Sequence, residues 1–235
     1  MRMHRWCSLA LCWVLSAAVL AGETLPPSPP APAVKEKPAM NLDAFVVEQW
    51  NPGEGAVKLE EGLLRIDTQE GQDGVHVWLK EELPPDFTLE YDFTPLSPSG
   101  FFLLFFCQKG LKGEDVLAPE LLAERKESTL FRTYTLGRAG YHISYRRNEA
   151  ANCNLRKNPG MNLVKQQPLE DVLPANKTVR VKLTKQGARI TLEVDGKTFM
   201  DYTDPEKPHS GGRIAFRQVY PSSARYGNIV LKELK

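Results

Sequence analysis

The chain holds four cysteines, four histidines, no block of basic residues and a single long apolar run. Each scarcity narrows what it can do. His4, His76, His142 and His209 lack the close spacings of a zinc site. No Gly-x-Gly-x-x-Gly or phosphate-loop pattern follows a strand, which argues against nucleotide chemistry. No cofactor is expected; the one place where a structural Ca²⁺ fits the sequence is Glu114-Asp115, which otherwise reads as a solvated turn. The single apolar run sits at the amino terminus, so no second candidate membrane span exists.

That run has the make-up of a signal peptide. Arg2 and Arg5 precede an apolar stretch from Trp6 to Leu20, and Val19-Leu20-Ala21 supplies the small residues of a cleavage site after Ala21. The apolar stretch is about 15 residues, short of the roughly 20 that span a bilayer. The expected product is exported, to the periplasm or the medium. Cleavage removes Arg2 and Arg5, leaving 28 of the 30 basic residues against 29 acidic ones. A near-neutral chain without a basic patch offers no footprint for nucleic acid. Cleavage also removes Cys7 and Cys12. Cys107 and Cys153 then form one disulfide or remain two buried thiols.

Residues 22–40 are Pro-rich and lack apolar periodicity, so they read as an extended linker. Residues 41–235, about 195 in number, suit one domain with a sizeable core. Their pattern is β throughout. Val75, Val77 and Leu79 alternate with His76 and Trp78; Phe87, Leu89, Tyr91 and Phe93 alternate with Thr88, Glu90 and Asp92. A period of two marks strands with one buried face. Phe101 to Cys107, FFLLFFC, is apolar throughout and predicts a strand covered on both faces. Glu61-Gly62 and Asp195-Gly196 predict hairpin turns. Only 113–127 breaks the pattern, as one long loop or a short helix after Pro119. Roughly a dozen short strands without helical alternation predict an all-β sandwich or barrel.

The stretch from Phe131 to Gly160 carries five Arg, three Tyr, a His and four Asn among strand-spaced apolar residues. With the apolar residues turned inward, the opposite face is a deduction. It presents Arg132 and Tyr134, then His142, Ser144 and Arg146, then Asn152, Asn154 and Arg156, with Asn158 close behind. His76, Trp78, Glu90 and Asp92 share that outward phase on other strands. A solvated face would favour Lys, Glu and Thr. Trp, Tyr, His and Arg together point to a groove in which aromatic rings stack on sugars and polar groups bind hydroxyls or a uronate carboxylate.

Two catalytic schemes fit such a groove. Glu90 and Asp92, two apart on one strand, would lie about 6–7 Å apart, the separation that glycoside hydrolysis uses. Alternatively His142 or Tyr134 is the base and acid of a β-elimination on a uronate, with Arg132, Arg156 and Asn154 on the carboxylate. Under either scheme His76, Trp78, Ser144, Arg146 and Asn158 bind substrate.

The succession Leu89-Glu-Tyr-Asp-Phe, Phe105-Phe, Gly113-Glu-Asp, Arg132-x-Tyr, Tyr141-His-x-Ser-Tyr, Asn154-Leu-Arg-Lys-Asn-Pro-Gly and Gly212-Arg-Ile-Ala-Phe-Arg-Gln resembles the YesU-like family of unknown function, within the concanavalin A-like lectin/glucanase superfamily. The resemblance spans about Phe45 to Leu234. It implies a jelly-roll sandwich of two curved antiparallel sheets with ligand on the concave one, and an association with pectin-type polysaccharide use. Laminarinase-like members of the superfamily carry Glu-x-Asp-x-x-Glu on one strand, and the last Glu is missing after Glu90-Tyr-Asp-Phe-Thr-Pro. The sequence thus predicts an exported protein that binds, and under either scheme cleaves, a poly- or oligosaccharide. Its alternatives are a non-catalytic glycan-binding module or a structural envelope protein.

Overall fold

The alternating segments form fourteen strands among the described residues, arranged as two seven-stranded antiparallel sheets in the computed structural model. It describes residues 40–49, 55–69, 74–127, 136–147, 152–168 and 173–235, with 126, 127, 146 and 147 as backbone only. The expected leader, nearly all of the linker, Arg132 and Tyr134 lie outside the described residues.

The first sheet has the order β1 (Phe45–Gln49), β4 (Val75–Leu79), β13 (Arg213–Val219), β6 (Gly100–Gly110), β7 (Arg138–Arg147), β8 (Asn152–Asn158), β9 (Asn162–Pro168). The second has β12 (Lys197–Thr203), β11 (Arg189–Val194), β10 (Val179–Gln186), β5 (Phe87–Pro95), β14 (Ser222–Glu233), β3 (Leu63–Thr68), β2 (Gly55–Glu60). Their apolar faces meet. Phe93 of β5 packs edge-on to Phe102 of β6 with ring centroids 5.3 Å apart, and Tyr91 to Phe216 of β13 at 5.1 Å. Each such ring, fully buried, contributes about 1.5–3 kcal/mol. This is the sandwich that the alternation predicts.

Turns and covering segments also follow local chemistry. Glu61-Gly62 and Asp195-Gly196 join β2 to β3 and β11 to β12, each with positive φ at both residues, as two-residue hairpins require. Strand β6 is buried on both faces: Phe102, Leu104 and Phe106 enter the space between the sheets, while Leu103 and Phe105 join a second apolar cluster on the outer face. Cys107 then adopts φ 54 and shifts the register of β6 against β7. Opposite that shift Gly140, at φ 140, has no room for a side chain, because a Cβ would stand 2.7 Å from the Cys107 carbonyl oxygen. The thiols of Cys107 and Cys153 are both free and buried. Burial raises both, Cys107 to about 12. Among its described residues the break after β6 contains one helix, α1 (Pro119–Glu127). Among the described residues no helix is long and apolar enough to cross a membrane.

Candidate functional site

Strand register places six of the deduced outward residues in two rows across the outer face of the first sheet. One row runs Val46, Trp78, Ala215, Phe105, His142, Arg156, Leu163 from β1 to β9. The next runs Glu48, His76, Arg217, Leu103, Ser144, Asn154, Gln166. Alternation thus brings His76, Trp78, His142, Ser144, Asn154 and Arg156 together on one surface. Arg146 of β7 pairs with Phe101 and Asn152 in the following row; its side chain lies outside the described residues.

The β1–β4 half of this surface is closed. Trp78 is fully buried, and its indole Nε1–H donates to Glu48 Oε2 at 2.8 Å. Glu48 Oε1 accepts from Arg125 Nε at 2.7 Å, bringing α1 down onto the sheet. The Arg138 and Arg125 guanidinium groups stand 5.0 and 5.8 Å from the Trp78 ring centroid. Val116 and Leu117 pack over the same cluster. Trp78 is therefore a structural centre under a covering segment and not an open stacking platform, which corrects its assignment as a sugar-stacking residue. His76 is equally buried, stacked 5.8 Å from Trp78. Burial, with the charges of Arg217, Arg138 and Arg125, keeps its imidazole well below the usual range and hence neutral.

The β6–β9 half is open. A cavity of about 360 Å³ lies there, lined by Phe101, Leu103, His142, Ser144, Asn152, Asn154, Arg156, Met161 and Gln166. Phe101, Leu103 and Met161 supply apolar surface; the others supply hydrogen-bonding groups. Gln166 Nε2 donates to Asn154 Oδ1 at 2.8 Å, and Asn154 Nδ2 donates to Asn152 Oδ1 at 3.0 Å. This chain of amides holds each group in one orientation and leaves Gln166 Oε1 and Asn152 Nδ2 at its ends. Arg156 Nη1 donates to the Met161 carbonyl at 2.8 Å. Met161 itself sits at φ 56, just past the Pro159-Gly160 turn. Arg156 is thereby pinned while its remaining donors face no protein acceptor among the described residues. Among the described residues no carboxylate lines the cavity.

His142 is 1 % exposed and forms part of the same lining. Asn158, directly behind it, presents Nδ2 to His142 Nδ1 at 3.1 Å. Nδ1 is then an acceptor, and the imidazole proton resides on Nε2. Burial, followed by the charges of Arg156, Arg217 and Arg138, lowers His142 to about 3. At neutral pH it is an uncharged hydrogen-bond donor and a weak base. Asn158 is fully buried and does not line the cavity; its carbonyl accepts from His209 Nε2 at 2.9 Å. It is a support for His142 and not the ligand contact that the sequence predicts.

Glu90 and Asp92 are on the other sheet. They share the outward phase, but outward from β5 means the opposite side of the sandwich from His142. Arg180 bridges them, Nη2 to Glu90 and Nη1 to Asp92, each at 3.0 Å, and Asn228 Nδ2 adds a 2.6 Å bond to Asp92. The Arg180 bond draws Glu90 below the usual carboxylate range. Glu90 and Asp92 therefore do not belong to the groove that holds His142, which corrects their expected place beside it. In the loop before α1, Asp115 is taken up by Arg213 at 2.6 Å. Among the described residues no group of three or more His, Cys, Asp or Glu side chains is placed to hold a metal ion.

Sequence reasoning missed Phe101, Leu103, Met161 and Gln166 as lining residues. The first two were legible as the odd positions of FFLLFFC, facing the same way as His142 once β6 and β7 pair. Met161 and Gln166 depend on how the Pro159-Gly160 turn folds β9 back, which alternation does not reveal.

Residues 37–231 match the family described as Domain of unknown function (DUF1961). The chain belongs to that family. The matched region covers every strand of the DUF1961 fold that lines the cavity. The chain is 27 % identical over 201 residues to "Uncharacterized protein YesU" of Bacillus subtilis (strain 168), covering 80 % of this chain and 90 % of that one. Among solved structures it resembles a protein of unknown function with a galectin-like fold from Bacillus subtilis, at TM-score 0.71 and 25 % identity over 82 % of this chain and 90 % of that one. It also resembles carbohydrate binding module CBM66 from Bacillus subtilis (TM-score 0.52, 15 % identity, 80 % and 95 % covered). The carbohydrate recognition domain of Emp46p in its potassium-bound form aligns similarly (TM-score 0.57, 16 % identity, 81 % and 88 % covered).

Proposed function

We propose that the protein binds an oligo- or polysaccharide bearing uronate residues, as pectin-type chains do, in the cavity over β6–β9. The observation that carries this reading is the lining itself: a pinned arginine, a chain of oriented amides and an uncharged histidine around Phe101, Leu103 and Met161, with no carboxylate among the described residues. Hydroxyl groups of a sugar need both donors and acceptors in fixed positions, and a uronate adds an anion that Arg156 suits. The fold is also that of domains named for carbohydrate binding and recognition. Binding ranks above cleavage because His142, at about 3, is a weak base at neutral pH and Glu90 and Asp92 lie across the sandwich. The signal-peptide character of the amino-terminal sequence supports a place of work outside the cytoplasm. Recovery of the uncleaved chain from the cytoplasm of its source cells would refute that placement.

Calorimetric titration against polygalacturonate, alginate and a neutral glucan tests the proposal. Tighter binding to a uronate chain is expected, with Arg156→Met weakening it about tenfold or more, the worth of a charge-assisted hydrogen bond. Absence of binding to all three would overturn it. Release of unsaturated or reducing ends from any of them would move the protein to the lyase or hydrolase reading.

A further inference from the structure

A cavity near 360 Å³ is at the small end of ligand sites and encloses only a ring or two of a sugar chain. Any longer ligand must leave it. Beyond Phe101, in the turn between β13 and β14, lies Tyr220, at 58 % the most exposed aromatic ring among the described residues. Its ring centroid is 6.3 Å from that of Phe101, so the ring continues the apolar surface of the cavity wall outward. The position is held from both sides. Tyr220 has φ 62, a left-handed conformation unusual for a bulky residue, and its carbonyl accepts from the Thr68 hydroxyl of β3. Val219, just before it, belongs to the buried cluster under the outer face.

We propose that Tyr220 is a second subsite, an aromatic platform on which the sugar residue adjoining the one in the cavity stacks. The proposal rests on the cavity being the glycan site. Flat aromatic faces bind the C–H face of a sugar ring, and the tilted Phe101–Tyr220 pair presents such a face contiguous with the hydrogen-bonding groups at Asn152 and Ser144. In this arrangement the cavity recognises one residue by its substituents, and Tyr220 makes affinity depend on chain length.

The test titrates galacturonic acid and its linear tetramer into the wild-type protein, Tyr220→Asn and Tyr220→Trp. Asn tolerates positive φ, so Tyr220→Asn removes the ring without opposing the local backbone. Equal melting temperatures of Tyr220→Asn and the wild type are the check on folding. The expected result is a loss of about three- to tenfold in tetramer affinity for Tyr220→Asn, with monomer affinity unchanged and Tyr220→Trp at least as tight as wild type. Tetramer binding by Tyr220→Asn as tight as wild type overturns the subsite and leaves the cavity reading standing. So does an equal loss for monomer and tetramer, since the ring would then act by shaping the cavity. Failure of the wild type to bind either ligand overturns the subsite as proposed, and overturns the cavity reading too if polygalacturonate, alginate and the glucan also fail to bind.

Discussion

Replacing His142 with Gln should flatten the acid limb of the stability curve. In the native protein His142 is held near 3 by burial and by Arg156, Arg217 and Arg138, whereas an unfolded histidine titrates near 6.5. The unfolded chain therefore takes up the proton first as pH falls. Stability from this group is complete above about pH 6.5 and is lost progressively down to about 3. Each pH unit in that window removes about 1.4 kcal/mol, so at about pH 4.5, two units below the unfolded value, the loss is about 2–3 kcal/mol. Gln keeps an amide of similar reach in the site and has nothing to titrate. At neutral pH the variant should be less stable by about 1–3 kcal/mol, because Asn158 loses its designed partner. By about pH 4.5 that gap should have closed or reversed. Urea unfolding followed by tryptophan fluorescence at four pH values measures it, and taking the difference between the two proteins cancels the carboxylates common to both. A gap that stays constant from pH 7.5 to 4.5 would refute the account of His142 as a buried neutral imidazole.

Two other outcomes follow from the same surface and its opposite. Glu48→Ala leaves the Trp78 N–H and the buried Arg125 guanidinium without their carboxylate and should destabilise the protein by about 3–5 kcal/mol; the double variant with Arg125→Met should recover part of that in thermal unfolding, and no recovery would argue against a coupled pair. Glu90→Gln with Asp92→Asn should change stability by no more than about 1 kcal/mol, since both carboxylates and Arg180 are partly solvated, and should leave glycan affinity untouched; a loss of affinity would put the ligand on the wrong sheet.

The surface was legible because side-chain alternation is local. His142, Ser144, Asn154 and Arg156 follow from the inward set of Tyr141, Ile143, Tyr145, Cys153 and Leu155, which needs no knowledge of distant partners. The same rule misplaced Glu90 and Asp92. Phase says which face of a strand a residue occupies, and only sheet membership says which side of the molecule that face becomes; β5 and β7 belong to different sheets. Trp78 failed for another reason. Its covering arises from Arg125 reaching Glu48, 77 residues away in sequence, and no periodicity encodes such a contact. The helix at 119–127 was expected as an alternative to a loop, but its role in sealing half of the outer face was not.

The wall that carries Gln166 is β9, an edge strand whose residues are all exposed or half-buried. Its neighbours in the amide chain stand on β8, where Cys153 and Leu155 are locked into the core. Substitutions at Gln166 can therefore change what the cavity reads without repacking anything beneath it. Diversification within the family, or by selection in the laboratory, has its cheapest route along this one strand, while the histidine and arginine beside it keep the chemistry of the site constant.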